Sequence, residues 1–360
     1  MKYEGIVNVL KPAGMTSSDV VVDVRRIFGE KRVGHTGTLD PAAAGALPCC
    51  IGRATRLFDY LADKEKEYIA EIRFGIATDT LDAFGVITEK SEKKVSAEEL
   101  ENALKRFRGE IEQIPPIYSS LSINGERMYK LARRGQLTSP AAEKKRRITI
   151  YSLDMLEQCA ENAFLIKIRC SKGTYIRTLV SDIGKALGVP AYMPFLLRTV
   201  SGEFTVENAY TIAELKELKE KGMLQSAVIP CDEAVKNIPM LKLTGLSEKK
   251  RKRIANGASI YCEEAQSDTL YRVYIDDEFM GLGKKNEEGL VMKLRLDRET
   301  QNANGGAAEN TSDTGENAVS SENMAENAVS SENMAENAVS SGDNGKNNKN
   351  NSGNGNGNDF

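Results

Sequence analysis

Asp40 lies in the run GHTGTLDPAAAG, which also holds His35, the one histidine of the 360-residue chain. A single carboxylate raised on a rigid loop can act as nucleophile or base, and a neutral imidazole near it can accept a proton. Gly34, Gly37 and Thr38 let the backbone take conformations closed to bulky residues, and Pro41 fixes the exit of the chain. The same residue types also build ordinary turns, in which Asp before Pro serves only the backbone. His35 can equally be a satisfied polar residue at a strand end. Four further positions bear on the choice. Arg177 opens a helix after the glycine turn SKGTY, with Ile176, Leu179, Val180 and Ile183 apolar around it. On the surface it makes ordinary ion pairs; turned inward, it holds a carboxylate ionised. Tyr68 stands on the apolar side of a strand, where it packs in the core or stacks on a base. Asp79 and Asp82, in GIATDTLDAFG, offer a carboxylate pair for acid–base work, but a Thr/Gly turn favours Asx-type capping for both.

Composition narrows the chemistry. There is no dinucleotide-binding GxGxxG and no phosphate-binding P-loop. The six cysteines, at 49, 50, 159, 170, 231 and 262, form no CxxC pair, and with one histidine they argue against a zinc site. They read as reduced, structural thiols. With 40% hydrophobic and 28% charged residues, the chain has the make-up of a soluble globular protein. No apolar run approaches the ~20 residues of a membrane span, and the first residues lack a signal-peptide pattern, so a cytoplasmic protein is expected. The net charge of −3 averages two materials: residues 301–360 carry two lysines against nine acids, net −7, and residues 1–300 carry +4. Basic clusters at Lys144–Arg147 and Lys249–Arg253 suit a nucleic-acid partner, although each alone is also an ordinary solvated face.

The elements that must hold these residues mix helix and strand, which predicts the α+β class. Gly5–Leu10 reads as a strand. Ser17 or Ser18 caps a helix whose Val20, Val21, Val24, Ile27 and Phe28 form one face. Lys66–Ile76 alternates as a strand with Tyr68, Ala70, Ile72, Phe74 and Ile76 on one side. Ser96 and Glu99 form a capping box for a helix reaching Phe107. Phe164–Cys170 is a further strand, and the helix after SKGTY ends at Gly188. Beyond Pro230 a short helix and strands at 271–274, 279–282 and 290–296 predict a small β-rich module. From Gln301 the repeated ENAVSSENMA and an Asn/Gly-rich end read as a disordered appendage, dispensable for chemistry.

These segments together resemble the TruB family of tRNA pseudouridine synthases in its bacterial form. The resemblance rests on VLKPAGMTSSDVV, VGHTGTLDPAAAGALPCCIGRATR, KEY at Lys66–Tyr68 and FGIATDTLDAFG. PPIYSSLSINGERMYKLARRG, SKGTYIRTLVSDIG and FLLRTVSG complete the set, which spans about Gly5 to Gly202. It implies a pseudouridine synthase catalytic domain at 1–232, with a mixed or antiparallel sheet and flanking helices. It also implies a small PUA-like RNA-binding domain at 233–298, leaving 299–360 as the acidic tail. By the same resemblance Asp40 is the catalytic aspartate, His35 sits where the target nucleotide is extruded, and Tyr68 stacks on the target base. Arg177 pairs with the aspartate, and Leu196 lines the uracil pocket, with Leu197 as the alternative. Lys11 and Pro12 buttress the catalytic loop, which Gly37 and Thr38 support. One departure is Ser122, where the family commonly has a lysine.

The activity implied is isomerisation of the T-loop uridine at position 55 of tRNA, which binds through its T-arm. It needs neither cofactor nor metal, because it is redox-neutral and hydrolyses nothing. The target must leave its stack to reach the carboxylate. Asp40 can attack the base, attack the sugar or take a sugar proton. Two rivals stand beside this expectation: an RNA chaperone on the same fold, and the catalytic subunit of a guide-RNA particle. The chain begins almost directly at the KPAGMTS motif, so a stand-alone, monomeric enzyme without guide RNA is expected.

Overall fold

The computed structural model describes residues 3–296 except 63, 140, 142 and 143, all within one compact unit; the tail lies outside the described residues. In chain order the strands begin with β1 (Gly5–Lys11), β2 (Val33–His35), β3 (Ala44–Ile51), β4 (Lys66–Phe74), β5 (Ile76–Thr78) and β6 (Ile87–Lys90). β7 (Gly109–Gln113), β8 (Ser122–Ile123), β9 (Glu126–Arg127), β10 (Arg146–Ala160), β11 (Ala163–Cys170), β12 (Ala191–Ser201) and β13 (Phe204–Thr205) follow. β14 (Met240–Leu243), β15 (Leu270–Ile275), β16 (Glu278–Asn286) and β17 (Gly289–Arg295) come last. The helices are α1 (Ser17–Phe28), α2 (Phe58–Ala62), α3 (Ala97–Leu104), α4 (Met128–Arg133), α5 (Ile176–Leu187), α6 (Ile212–Glu220) and α7 (Glu248–Ala255).

The main sheet runs β1-β3-β12-β4-β11-β10-β7, with β2 added to β3 and β13 to β12. All its pairings are antiparallel except β3 with β12. That parallel contact is very close: at Gly45, with φ +127°, an added Cβ would lie 2.2 Å from the Arg198 carbonyl oxygen. β4 and β11 alternate as their sequences require, and Tyr68, Ala70, Ile72, Phe164, Ile166 and Ile168 form one buried face. α5 covers that face with Ile176, Leu179, Val180 and Ile183, each buried. Burial of such side chains contributes about 1.5–3 kcal/mol apiece. β3 is buried on both sides: Leu47 and Cys49 face α1 and α6, and Cys50 faces Leu282 and Leu296. The second sheet, β14-β15-β16-β17, therefore shares a core with the first. The boundary expected at 232/233 falls inside this single compact unit.

Two local expectations are corrected. The N-cap of α1 is Thr16, whose hydroxyl and Asp19 form the capping box, and not Ser17 or Ser18. Ser17 is instead buried, and its hydroxyl accepts from Leu39 N–H (2.9 Å) and donates to Leu39 C=O (3.0 Å). The strand read through Ile76 stops at Phe74, because Gly75 turns the chain at φ +99° and sends Ile76 into the separate β5–β6 hairpin. The helix from Ser96 ends at Leu104 and tightens into a 3₁₀ turn through Phe107.

Candidate active site

Asp40 sits in the loop from β2 to β3, and that loop is fastened from several sides. Lys11, wholly buried at the end of β1, donates to Pro12 C=O (2.8 Å), Met15 C=O (2.5 Å) and Ala43 C=O (2.7 Å), with Pro41 C=O at 3.4 Å. One ammonium thereby ties the KPAGM turn to the residues following Asp40. Ser17 clamps the residue before it, and Arg198 Nη2 donates to Gly37 C=O (3.1 Å). Pro12 and Thr38 lie at the surface of this assembly. Of the residues expected to hold the loop, Lys11 reaches it directly, and the side chains of Ser17 and Arg198 add bonds that the sequence reading did not assign.

Arg177 enters from the opposite side, in the first turn of α5. Its Nε lies 2.8 Å from Asp40 Oδ2, with the guanidinium buried and the Asp40 side chain 38% exposed. The carboxylate is held by a cation on one edge and open on the other. Nη1 donates to Thr80 C=O and Nη2 to Tyr118 C=O, both at 2.9 Å. Asp82 Oδ2 stands 3.6 Å from Nη1, so a second carboxylate faces the same guanidinium. Gln113 fixes the approach to α5, accepting from Tyr175 N–H (2.8 Å) and donating to Tyr175 C=O (3.0 Å). Turn capping explains Asp79, whose Oδ1 accepts from Val86 N–H at 2.8 Å. It explains Asp82 only in part: Oδ1 accepts from Thr80 Oγ1 (2.6 Å) and Phe84 N–H (3.0 Å), while Oδ2 is the oxygen that faces Arg177.

The floor of the site is the face of β4 and β12. Tyr68 opposes Arg198 in register, and both side chains are buried. Burial pushes the Tyr68 hydroxyl up to about 12, so it stays protonated at neutral pH. Leu196 pairs with Ala70 and packs in one cluster with Tyr68, Leu39 and Ala43. Leu197 has the opposite phase of the strand and is half-buried elsewhere. The Tyr68 face thus carries Leu196 and not Leu197.

His35 ends β2 opposite Cys49. Burial, assisted by the Arg198 charge, pushes the imidazole down to about 4, and burial pushes the Cys49 thiol up to about 12. Neither group ionises at neutral pH, so this pair is no thiolate–imidazolium nucleophile. Gly37 N–H points at His35 Nδ1 from 3.4 Å. Arg198, Asp82 and Gln113 are members of the site that the sequence reading did not assign. The available signal for Arg198 was its place in FLLRTVS, a charge in the buried phase of an apolar strand.

Comparison with known proteins identifies the family of the chain. A model of the TruB family pseudouridylate synthase N-terminal domain matches residues 25–176, and one of the tRNA pseudouridylate synthase B C-terminal domain matches 177–236. The chain belongs to the TruB family of pseudouridylate synthases. TruB relatives named tRNA pseudouridine synthase B include one from Caldanaerobacter subterraneus subsp. tengcongensis, 44% identical over 81% of this chain and 99% of its own length. Another, from Clostridium perfringens, is 41% identical over 81% of this chain and 98% of its own. Among solved structures, an H/ACA RNP bound to a substrate RNA containing 2'-deoxyuridine superposes with TM-score 0.60 at 26% identity, covering 82% of this chain and 86% of that one. A Cbf5-Nop10-Gar1 complex matches with TM-score 0.60 at 26% identity, over 81% and 84%. Among the described residues no helix is long and apolar enough to cross a membrane.

Proposed function

We propose that the protein converts a tRNA uridine, the T-loop residue at position 55, to pseudouridine, with Asp40 as the catalytic carboxylate. One observation carries this reading: Arg177 Nε holds Asp40 Oδ2 at 2.8 Å in a buried site while the carboxylate stays 38% exposed. The reaction breaks the bond between uracil N1 and ribose C1', rotates the base and joins C5 to C1'. The C5 proton leaves and N1 gains one, so no electrons are exchanged and no redox partner is needed. Asp40 is the group in reach of an extruded nucleotide; Arg177 orients it and balances its charge. Tyr68 and Leu196 supply the apolar floor against which a flipped uracil stacks. His35, neutral at the end of β2, fits a role beside the extruded nucleotide better than one as an acid.

The near-complete coverage of relatives named tRNA pseudouridine synthase B supports tRNA as the substrate, and the enzyme proposed works alone, as a cytoplasmic monomer. The guide-RNA alternative draws on the H/ACA structures, at the lower identity of 26%. Incubation of the pure protein with unmodified tRNA tritiated at uridine C5 tests both. Tritium release without guide RNA supports the proposal. No release from any tRNA refutes it, and release that begins only when a guide RNA is added favours the alternative.

A further inference from the structure

The turn from Thr78 to Ile87 holds the site and also presents an apolar surface. Its Thr80 carbonyl accepts from Arg177, and its Asp82 faces the same guanidinium. Three of its side chains project outward: Phe84 is 77% exposed, Val86 74% and Ile87 48%. Isolated exposed hydrophobics need no explanation, but three within four residues beside a catalytic loop do. The turn is stiff. Asp82 Oδ1 holds Phe84 N–H at 3.0 Å, Asp79 Oδ1 holds Val86 N–H at 2.8 Å, and Thr78 Oγ1 donates to Asp82 C=O at 2.7 Å. Met193 N–H donates to Leu81 C=O at 3.1 Å and fastens the turn to β12, the strand of Leu196. Gly85 is packed so tightly that a Cβ would lie 2.3 Å from Thr80 Oγ1. The backbone that carries this exposed ring is thus held in place and linked to Asp40 through Asp82 and Arg177.

We propose that Phe84 is a stacking platform for an unpaired base of the RNA substrate, next to the nucleotide that enters the Asp40 site. This rests on the functional reading above. Extruding one nucleotide unstacks its neighbours, and an exposed ring on a turn fastened to Arg177 can take up a base face irrespective of its sequence. A ring that stacks in this way improves binding more than turnover.

The test measures binding of unmodified tRNA in the Asp40→Asn background, and turnover with Asp40 intact, for Phe84→Ala, Phe84→Leu and Phe84→Trp. Loss of one stacked base corresponds to roughly five- to 150-fold in affinity. We expect Phe84→Ala to raise Kd and KM about tenfold, with kcat little changed. Phe84→Leu should behave the same way, since it offers area but no π face, and Phe84→Trp should restore binding. The slope of log Kd against log salt should stay unchanged, because no phosphate contact is lost. Unaltered binding in Phe84→Ala overturns the proposal, as does full binding in Phe84→Leu. A drop in sedimenting mass in Phe84→Ala also overturns it and assigns the ring to a contact between copies. Wild-type protein inactive on every tRNA refutes the functional reading itself; an active wild type with an indifferent Phe84→Ala refutes only the platform.

Discussion

Lys11→Met removes the ammonium that ties the KPAGM turn to the catalytic loop while keeping most of the side-chain volume. Three of the bonds from Lys11 Nζ, at 2.5–2.8 Å, go to carbonyls that lose their donor. A hydrogen bond from a charged donor contributes about 1.5–3 kcal/mol, and keeping an ammonium out of water costs several kcal/mol. The balance is a loss of about 2–4 kcal/mol, which lowers Tm by roughly 3–6 °C in a compact unit of about 300 residues. Turnover should fall further, by about 10²-fold, because the residues around Asp40 lose their anchor. Thermal and urea unfolding, with single-turnover kinetics at 25 °C, measure both. Linkage adds a sign. Burial pushes Lys11 down from 10.5 to about 8, opposed only in part by Asp40 and Asp19. Between these pH values the unfolded chain keeps a proton that the folded chain has released, so this group makes the wild type more stable as pH rises through that window. The stability gap over Lys11→Met should therefore widen from pH 8 to pH 10. A mutant as stable and active as wild type, or a gap that narrows in that window, would refute the reasoning.

Asp40→Asn should lower turnover by about 10⁴-fold or more and leave tRNA affinity nearly intact, because binding rests on phosphate contacts; substantial residual turnover would falsify the assignment. Arg177→Lys retains a charge but cannot serve Asp40 Oδ2, Thr80 C=O and Tyr118 C=O together, so kcat should fall by about 10²–10³. Asp82→Asn should cost less, about tenfold, since that contact is 3.6 Å; the reverse ranking in single-turnover assays would contradict the geometry. His35 is pushed down to about 4 from 6.5, so it should add no ionisation near pH 6.5 to the kcat profile. It should make the protein less stable as pH falls from 6.5 towards 4, a loss absent in His35→Gln and readable by urea titration at several pH values.

Much of the local structure was legible because its signals are local. Val20, Val21, Val24, Ile27 and Phe28 recur at the helical period, and α1 buries all five. Gly188 terminates α5 at φ +65°, as glycine alone does cheaply. Alternation set the inward face of β4, Tyr68 included. The motif residues of the Asp40 and SKGTYIR loops were also readable, as types without a geometry. Neither periodicity nor motif could reveal partners chosen across long stretches of chain. Whether Ser17 or Thr16 capped α1 depended on Leu39 claiming the Ser17 hydroxyl. Whether Arg177 lay on the surface depended on β11 and β12 bringing α5 against the β2–β3 loop. The second role of Asp82 required Gly75 to break β4 and turn the next hairpin towards Arg177. The choice between Leu196 and Leu197 depended on strand phase, which shifts at the β-bulge between Tyr192 and Phe195. The role of Arg198 depended on the parallel β3–β12 contact, which buries its guanidinium against Ala46 and Gly37. The sequence by itself determined which side chains were available and which local elements carried them. Tertiary structure decided which carboxylate meets which guanidinium, because burial and ion pairing depend on contacts that only the assembled sheet and the helix packed on it bring together.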